Sequence, residues 1–358
     1  MRAKAHINLT SLRHNFDKVL KYSPSTQVLA VIKANGYGHG LTRVANALST
    51  ADGFAVTNVE EAITLREAGI EQRILVLEGF VSTKELDIMR HHHVDAVIHH
   101  ETQIELLEHA KSGSMVTVWL KADTGMHRLG LSLTRLANAW HRLRACANVT
   151  LPIFLMSHLA AADEWQNTDT EKQIRNFLSL SSGFKNTVSV ANSAAILAWP
   201  ETRVGWVRPG IMLYGISPFP NETAGEFGLL PVMTLSTRLI AINQIPKGEA
   251  VGYGRTWVCP EDMPVGVAAI GYGDGYPRHA PSGCPVLVNG KRVPLIGRVS
   301  MDMITVDLRS QPDARVGDQV VLWGKGLPVE EVAKLSGTIG YELVCGVTPR
   351  VEFITRDS

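Results

Sequence analysis

A lysine that directly follows a buried strand is the first residue whose position suggests chemistry. Val28–Ile32 is an unbroken apolar run rich in β-branched residues, which is typical of a strand inside a parallel sheet. The run ends at Lys33, and glycines follow at positions 36, 38 and 40. Loops at the carboxyl ends of parallel strands form the active sites of α/β proteins, so a partly desolvated amine here could act as a nucleophile or form a Schiff base. From this segment alone, a lysine that merely ends the strand and reaches solvent stays open.

Further cationic residues follow later apolar runs. Lys121 and Arg128 lie at and beyond the end of residues 116–120, and His158 follows residues 153–156. Arg208 stands between apolar residues, which distinguishes it from an ordinary surface arginine. If these runs are parallel strands, the four side chains share one rim with Lys33.

A short predicted helix after Asn192 and Ser193 offers backbone N–H groups that could bind a phosphate. Ordinary helix capping is the alternative for these two residues. Taken alone, the residues predict a barrel enzyme with a phosphate site beside its catalytic rim. Aldolases, decarboxylases and racemases all fit that description.

Two other patterns suggest ligand sites that we reject. The histidines at 91–93 and 99–100 have no carboxylate or cysteine at metal-ligand spacing, so we interpret them as a helix end and a strand end and predict no metal. The segment Gly271–Tyr276 lacks both the Gly-x-Gly-x-x-Gly spacing and the following helix of a dinucleotide-binding loop.

Strand-like and helix-like runs alternate about eight times over roughly the first 220 residues, which suits an N-terminal (β/α)8 TIM-type barrel. An open doubly wound sheet is the alternative. The last strand-like run in this region is Ile211–Tyr214. From Pro231 the runs are short and separated by Gly, Pro and Asp, which predicts a C-terminal mainly antiparallel β domain. We therefore expect a barrel over 1–230 and a β domain over 231–358, with the first N-terminal residues packing with the β domain.

Composition limits the classes of protein that this chain can represent. Its 358 residues are 45% hydrophobic and 19% charged, as in a globular protein with a large core. The net charge of +1 gives no electrostatic reason to expect nucleic acid or a membrane surface as a partner. No apolar run is long enough to span a membrane, and the four widely spaced cysteines indicate reduced thiols in a cytoplasm.

Six segments together carry a resemblance. In order and at suitable spacing, the sequence contains Lys33–Gly40, Lys121–Gly130, Val207–Gly215, Val251–Gly254, Ile270–Gly275 and Gly297–Asp302. With Tyr341 and Arg350, they make the chain resemble the bacterial alanine racemases over essentially its whole length. The resemblance implies the same barrel and β domain, the cofactor pyridoxal 5′-phosphate (PLP), and a homodimer with shared active sites. It also implies interconversion of L- and D-alanine, either to supply D-alanine for cell-wall peptidoglycan or to degrade it.

The resemblance assigns roles to individual residues. Lys33 would hold PLP as a Schiff base and act as one base, and Tyr253 of the partner subunit would act as the other. Arg208 would bond the pyridine nitrogen, Arg128 the phenolic oxygen, and His158 would pack against the ring. The phosphate would be surrounded by Tyr37, Asn192, Ser193, Gly210, Ile211 and Tyr341. The substrate carboxylate would meet Arg128 and Met301 of the partner subunit, and the entrance would be lined by Asp163, Tyr272, Arg278, Arg298 and Asp302.

Two cations, Lys121 and Arg128, would repel each other near an anionic cofactor. The resemblance implies that Lys121 is often carbamylated by carbon dioxide, which would turn it into a carboxylate that can orient Arg128. Ser300 stands where this family often has a cysteine without an assigned role. Three alternatives remain open at this point. They are a PLP-dependent amino-acid decarboxylase, a broad-specificity racemase of the same fold, and a non-catalytic PLP-carrier protein.

Overall fold

The computed structural model describes residues 3–111, 113–184 and 186–357. The chain forms two compact units. One, the barrel unit, is Phe16–Leu213; the other, the sheet unit, combines Met1–Asn15 with Tyr214–Ser358. The division thus falls at Tyr214, whereas the sequence pattern places the domain boundary after residue 230.

The chain begins with strand β1 (Lys4–Asn8) and helix α1 (Leu9–Tyr22). Strands and helices then alternate. The strands are β2 (Gln27–Val31), β3 (Gly53–Val56), β4 (Arg73–Val76), β5 (Asp95–Ile98), β6 (Val116–Lys121), β7 (Val149–Met156), β8 (Val188–Ser189) and β9 (Trp206–Val207). The helices are α2 (Lys33–Tyr37), α3 (Leu41–Ala47), α4 (Val59–Glu67), α5 (Thr83–His91), α6 (Glu101–His109), α7 (Leu133–Ala145), α8 (Thr168–Ser181) and α9 (Ser193–Ala198).

Strands β2 to β9 form a closed, all-parallel barrel, which confirms the predicted TIM-type architecture and excludes the open sheet. The strands are apolar on both faces because helices cover the outside and side chains fill the inside. Strands β3 and β5, for example, are buried along their whole length. Several helices begin where a small polar side chain accepts a backbone N–H of the first turn, as Asn58, Ser82 and Asn167 do.

The interior at the amino end of the barrel is closed by an ion pair and aromatic rings. Asp95, the first residue of β5, pairs with Arg73 and accepts a hydrogen bond from the Trp119 indole at 2.8 Å. The Arg73 guanidinium also lies over the rings of Phe154 and Trp206. Active sites of such barrels lie at the other end, so this cluster serves stability.

The expectation of a strand at Ile211–Tyr214 is wrong. The eighth strand is β9, and Ile211–Tyr214 forms a 3₁₀ helix that is buried throughout. A short run of buried apolar residues has no detectable period, so strand and helical turn look alike in the sequence.

In the sheet unit, eight strands lie in the order β13-β16-β15-β14-β17-β10-β1-β18. Their bounds are β10 (Met233–Ile245), β13 (Met263–Ala268), β14 (Pro285–Val288), β15 (Lys291–Ile296), β16 (Ile304–Asp307), β17 (Gln319–Trp323) and β18 (Glu352–Arg356); β11 (Ala250–Val251) and β12 (Trp257–Val258) form a separate hairpin. All pairings are antiparallel except that of β1 with β18, and β10 also pairs with β13. This confirms a mainly antiparallel domain.

The described part of this unit contains α10 (Val329–Leu335) and α11 (Gly340–Cys345), and the first residues of α1 also belong to it. Short 3₁₀ helices lie at Ala224–Phe227, Tyr253–Arg255 and Tyr272–Asp274, and another at Pro200–Thr202 in the barrel unit. Among the described residues, no helix has the length and hydrophobicity needed to cross a membrane.

Candidate active site

The carboxyl ends of the barrel strands bring the predicted cations into one electrostatic cluster. Lys33 follows β2, Lys121 ends β6, His158 follows β7 and Arg208 follows β9. Lys121 is only 8% exposed. Its pKa is lowered to about 8, mainly by burial and then by the charges of Arg208, Arg128 and Lys33, whereas Asp123 acts to raise it. Since each charge acts on Lys121, these side chains share the rim that the sequence predicted.

Arg208 is held by hydrogen bonds from both of its terminal nitrogens. Its side chain is 3% exposed and donates from Nη1 to Ser189 Oγ and from Nη2 to the Ser157 carbonyl, both at 2.6 Å. Burial lowers its pKa to about 10, so it stays charged at neutral pH. Within the part of the chain that the structure describes, no acceptor lies in hydrogen-bond range of its Nε–H. The side chain is therefore held through its two terminal nitrogens, and its Nε–H makes no hydrogen bond to the described residues.

His158 contacts this guanidinium directly. Nη2 of Arg208 donates to His158 Nδ1 at 3.3 Å. Burial lowers the pKa of His158 well below its usual value, and the charges of Arg208, Lys121, Arg128 and Lys33 act in the same direction. The ring is therefore neutral, and because Nδ1 accepts, its proton is on Nε2.

Polar groups surround Gly210. The hydroxyl of Ser193, the first residue of α9, accepts hydrogen bonds from the backbone N–H groups of Gly210 at 2.8 Å and Met212 at 3.4 Å. A Cβ on Gly210 would lie 2.7 Å from the hydroxyl oxygen of Tyr37. Ile211 is buried beside Gly210. Ser193, Gly210, Ile211 and Tyr37 are thus brought together.

Asn192 has a different observed role. It is the N-cap of α9, and its Oδ1 accepts the backbone N–H of Ala195 at 3.0 Å. The capping alternative is therefore what its side chain does, and it shapes the helix that presents Ser193.

The loop after β6 carries Arg128, which is exposed. Asp123 organises this loop by accepting the backbone N–H groups of Gly125 and His127 at 3.0 and 3.1 Å and contacting the His127 ring at 2.9 Å. Farther along the barrel unit, Asp163 is half-buried in the segment between β7 and α8.

Several residues that support the rim were not predicted. Ser157 and Ser189 anchor Arg208, and Ser157 Oγ also bonds Thr124 Oγ1 at 2.8 Å. Gln173 of α8 donates to Thr124 Oγ1 at 3.4 Å and to the His158 carbonyl at 3.3 Å. The signal for the serines was present, since both are small polar residues at the carboxyl ends of apolar strands.

The remaining predicted site residues lie in the sheet unit. Tyr253 stands in a 3₁₀ turn with its side chain 70% exposed. Gly254 beside it has a φ of +73°, and a Cβ there would lie 3.0 Å from a guanidinium nitrogen of Arg298, so this arginine packs against the turn. Arg298 is itself exposed, as is Arg278.

A second group in this unit surrounds Met301. The Met301 carbonyl accepts the Gly273 N–H at 2.9 Å, and the Ser300 carbonyl accepts that of Tyr272 at 3.1 Å. Asp302 pairs with Arg350 at 2.5 Å. Met301 and Tyr272 are 52% and 41% exposed. Tyr341 is half-buried in α11.

The histidines at 91–93 lie at the end of α5, and those at 99–100 follow β5. Among the described residues, no three His, Cys, Asp or Glu side chains are placed to hold a metal ion. His100 instead caps α6.

Comparison with known proteins gives the same family for both halves of the chain. The model of the alanine racemase N-terminal domain matches residues 7–218, and that of the C-terminal domain matches residues 232–355. An alanine racemase of Coxiella burnetii is 52% identical over 358 residues, covering 99% of this chain and 98% of its own. One from Nitrosococcus oceani is 53% identical over 349 residues, covering 97% and 98%.

Solved structures agree with the sequence comparison. The biosynthetic alanine racemase of Pseudomonas aeruginosa superposes with a TM-score of 0.96 at 45% identity, covering 99% of both chains. Alanine racemase from Acinetobacter baumannii gives 0.94 at 37% identity, covering 99% of this chain and all of the other. Since relatives this similar match along the whole length, this chain is a member of the alanine racemase family.

Proposed function

We propose that the protein interconverts L-alanine and D-alanine with PLP as cofactor, as a homodimer with shared active sites in the cytoplasm. The observation that carries the proposal is Arg208, a buried arginine fixed at the barrel rim with an unused Nε–H among other cations. The alanine racemase relatives support the reaction and its substrate. The four cysteines, none of them in a disulfide, fit a reducing compartment.

The residues at the rim fit PLP on two observations. The cofactor is an anion with a ring-nitrogen acceptor, and the Nε–H of Arg208 is a donor without an acceptor in the described structure. The cations Lys33, Lys121, Arg128 and Arg208 are close enough to depress the pKa of Lys121, which an anion between them would relieve.

The polar groups around Gly210 suit the phosphate. Because Gly210 has no side chain, the Tyr37 hydroxyl can lie close to its backbone. The hydroxyls of Ser193 and Tyr37 and the backbone N–H of Ile211 then provide hydrogen-bond donors to phosphate oxygens, while the Gly210 N–H orients the Ser193 hydroxyl. We assign Tyr341 of the sheet unit to the same phosphate and Asn192 to shaping α9.

Lys33 and Tyr253 of the partner subunit are the proposed bases. When bound, PLP supplies an electron sink that makes the Cα–H of alanine more acidic. Racemisation needs the proton to leave one face of Cα and return to the other, hence two bases. Lys33 Nζ exchanges the proton on one face, and the phenolic oxygen of the partner subunit's Tyr253 exchanges it on the other. The 70% exposure of Tyr253 suits a residue that serves a second subunit.

Arg208 and His158 set the electrostatics of this site. Arginine does not release its proton readily, so Arg208 keeps the pyridine nitrogen an acceptor and limits the electron sink, which shortens the lifetime of charge at Cα. Neutral His158 leaves its Nε2–H to donate toward the partner subunit's Tyr253.

We assign the substrate carboxylate to Arg128 and the backbone N–H of Met301 of the partner subunit. Tyr272, Arg278, Arg298, Asp302 and Asp163 are assigned to the entrance. We further propose that Lys121 carries a carbamate. Its low pKa supplies the neutral amine that carbon dioxide requires, and the resulting carboxylate would compensate Arg128.

A PLP-dependent decarboxylase with the same two-domain architecture is the second candidate. A carboxylate is expected opposite the pyridine nitrogen in that class, whereas an arginine held by two serines occupies the position proposed for it here. A broad-specificity racemase differs only in the amino acids that it accepts, and a non-catalytic carrier would not need Tyr253.

The test is loss of optical rotation of L-alanine with the PLP-loaded protein and with Lys33→Ala. We expect decay to the racemate with the wild-type protein and none with the variant. Carbon dioxide release would favour a decarboxylase. No reaction with cofactor bound would favour a carrier, and racemisation by both proteins would remove Lys33 from its role.

A further inference from the structure

The segment that follows Lys33 turns with the opposite hand to an ordinary helix. Ala34, Asn35, Gly36 and Tyr37 have φ angles of +52°, +54°, +62° and +50°. Residues with a Cβ disfavour this left-handed region, and only one of the four is glycine. Hydrogen bonds from the Gly36 N–H to the Ile32 carbonyl, 2.8 Å, and from the Gly38 N–H to the Ala34 carbonyl, 3.0 Å, close the turn.

This left-handed turn joins two residues of the proposed cofactor site. Lys33 lies at its start and Tyr37 at its end, beside Gly210. If residues 34–37 relaxed to right-handed angles, the direction from Lys33 to Tyr37 would change. Because the left-handed form is disfavoured locally, contacts from other segments must hold it.

One carboxylate outside the turn contacts it. Glu61 of α4 accepts the Asn35 N–H at Oε1, 3.2 Å, and the Thr57 N–H at Oε2, 2.9 Å. It thereby ties the loop after β2 to the end of the neighbouring strand β3. Asn35 is held a second time, since its own Oδ1 accepts the Leu41 N–H at 2.9 Å.

We infer that Glu61 is a positioning residue for the cofactor site, acting through the left-handed turn that sets Lys33 relative to Tyr37. This inference rests on the proposed function. Glu61 is not among the residues assigned to bind cofactor or substrate. From the sequence alone, it is an acidic residue that interacts favourably with the positive N-terminus of α4.

The chain offers a matched control for that helix effect. Glu60 precedes Glu61 in the same helical turn and is exposed, and within the described ranges its side chain forms no hydrogen bond or ion pair. Glu60→Gln and Glu61→Gln remove the same charge from the same helix end. Only Glu61→Gln replaces one of the two acceptor oxygens with an amide donor, which leaves either Asn35 or Thr57 without its acceptor.

The experiment measures PLP dissociation constants of the apoproteins by absorbance titration, their apo melting temperatures, and kcat and KM for alanine. We expect Glu61→Gln to bind PLP about tenfold or more weakly than Glu60→Gln, as loss of a charge-assisted hydrogen bond implies. The two apo melting temperatures should agree within about 4 °C.

A rescue variant separates the conformation of the turn from general damage. Glycine adopts left-handed angles without the cost that alanine carries, so Ala34→Gly combined with Glu61→Gln should recover part of the PLP affinity. Equal PLP affinity of Glu61→Gln and Glu60→Gln would overturn the inference, as would a loss that Ala34→Gly does not relieve. A wild-type protein that binds no PLP would instead overturn the proposed function.

Discussion

Nδ1 of His158 accepts a hydrogen bond from Nη2 of Arg208, so a permanently charged guanidinium fixes both the orientation and the tautomer of a neutral imidazole. Here the neighbouring charge opposes protonation, and the donor that faces away from Arg208 is always Nε2–H.

This relationship predicts how stability depends on pH. The unfolded chain has an ordinary His158, with a pKa of about 6.5, while the folded pKa lies well below it. Between these two pKa values, the unfolded state binds more protons than the folded state. The free energy of unfolding therefore falls as the pH is lowered below about 6.5, by up to ~1.4 kcal/mol per pH unit.

Urea unfolding of the wild-type protein and His158→Gln between about pH 7.5 and about pH 5.5, at one protein concentration, checks this prediction. Other histidines contribute equally to both curves, so the difference isolates His158. We expect the variant to have the shallower slope. Parallel curves would mean that His158 titrates normally in the folded protein.

Carbamylation of Lys121 is predicted to follow its depressed pKa. The neutral amine reacts with carbon dioxide, and at pH 8 about half of Lys121 is neutral when its pKa is about 8. Labelling with isotopically marked bicarbonate should therefore rise from pH 7 to about pH 9 in the wild-type protein.

The label should be absent from Lys121→Gln, which is the control, and intact-mass measurement under native conditions should show the mass of one carbon dioxide per chain. Active wild-type enzyme without that mass would exclude the carbamate.

Shared active sites predict complementation between two inactive variants. Lys33→Ala and Tyr253→Phe each disable both sites of their own homodimer. In a mixed dimer, one site combines the intact Lys33 of one subunit with the intact Tyr253 of the other. Equal mixing with subunit exchange should restore about a quarter of wild-type activity.

The control is the same pair of proteins mixed without conditions that allow exchange, which should remain inactive. Absence of recovery after verified exchange would contradict sharing and place both bases in one chain.

The barrel could be predicted because its signals are local and repeated. Apolar runs such as residues 74–77 and 94–98 alternate with amphipathic helices, and polar caps such as Asn58 mark where helices begin. The prediction of a strand at Ile211–Tyr214 was wrong because a short buried apolar run has the same pattern in a strand and in a 3₁₀ helix. The two-residue strand Trp206–Val207 is held by its barrel neighbours rather than by its own sequence.

The cationic rim could be predicted from the positively charged residues that follow apolar runs. The residues that hold these cations in place could not be predicted. Ser157, Ser189 and Gln173 act through contacts between segments distant in sequence. The left-handed turn at residues 34–37 is also outside what local preference indicates, since Ala34 and Tyr37 disfavour positive φ. Family resemblance assigns functions to side chains, but it does not identify the contacts that hold them.

The position of β1 has a consequence for the order in which the chain can assemble. Lys4–Asn8 is synthesised before the whole barrel, yet it pairs with Met233–Ile245 on one side and Glu352–Arg356 on the other. The barrel strands are all synthesised between these partners. Strand β1 therefore has neither of its partners until the barrel strands have been synthesised, and β18 can pair with it only after all the other strands of the sheet exist. The sheet unit thus cannot be assembled in the order in which its strands are made.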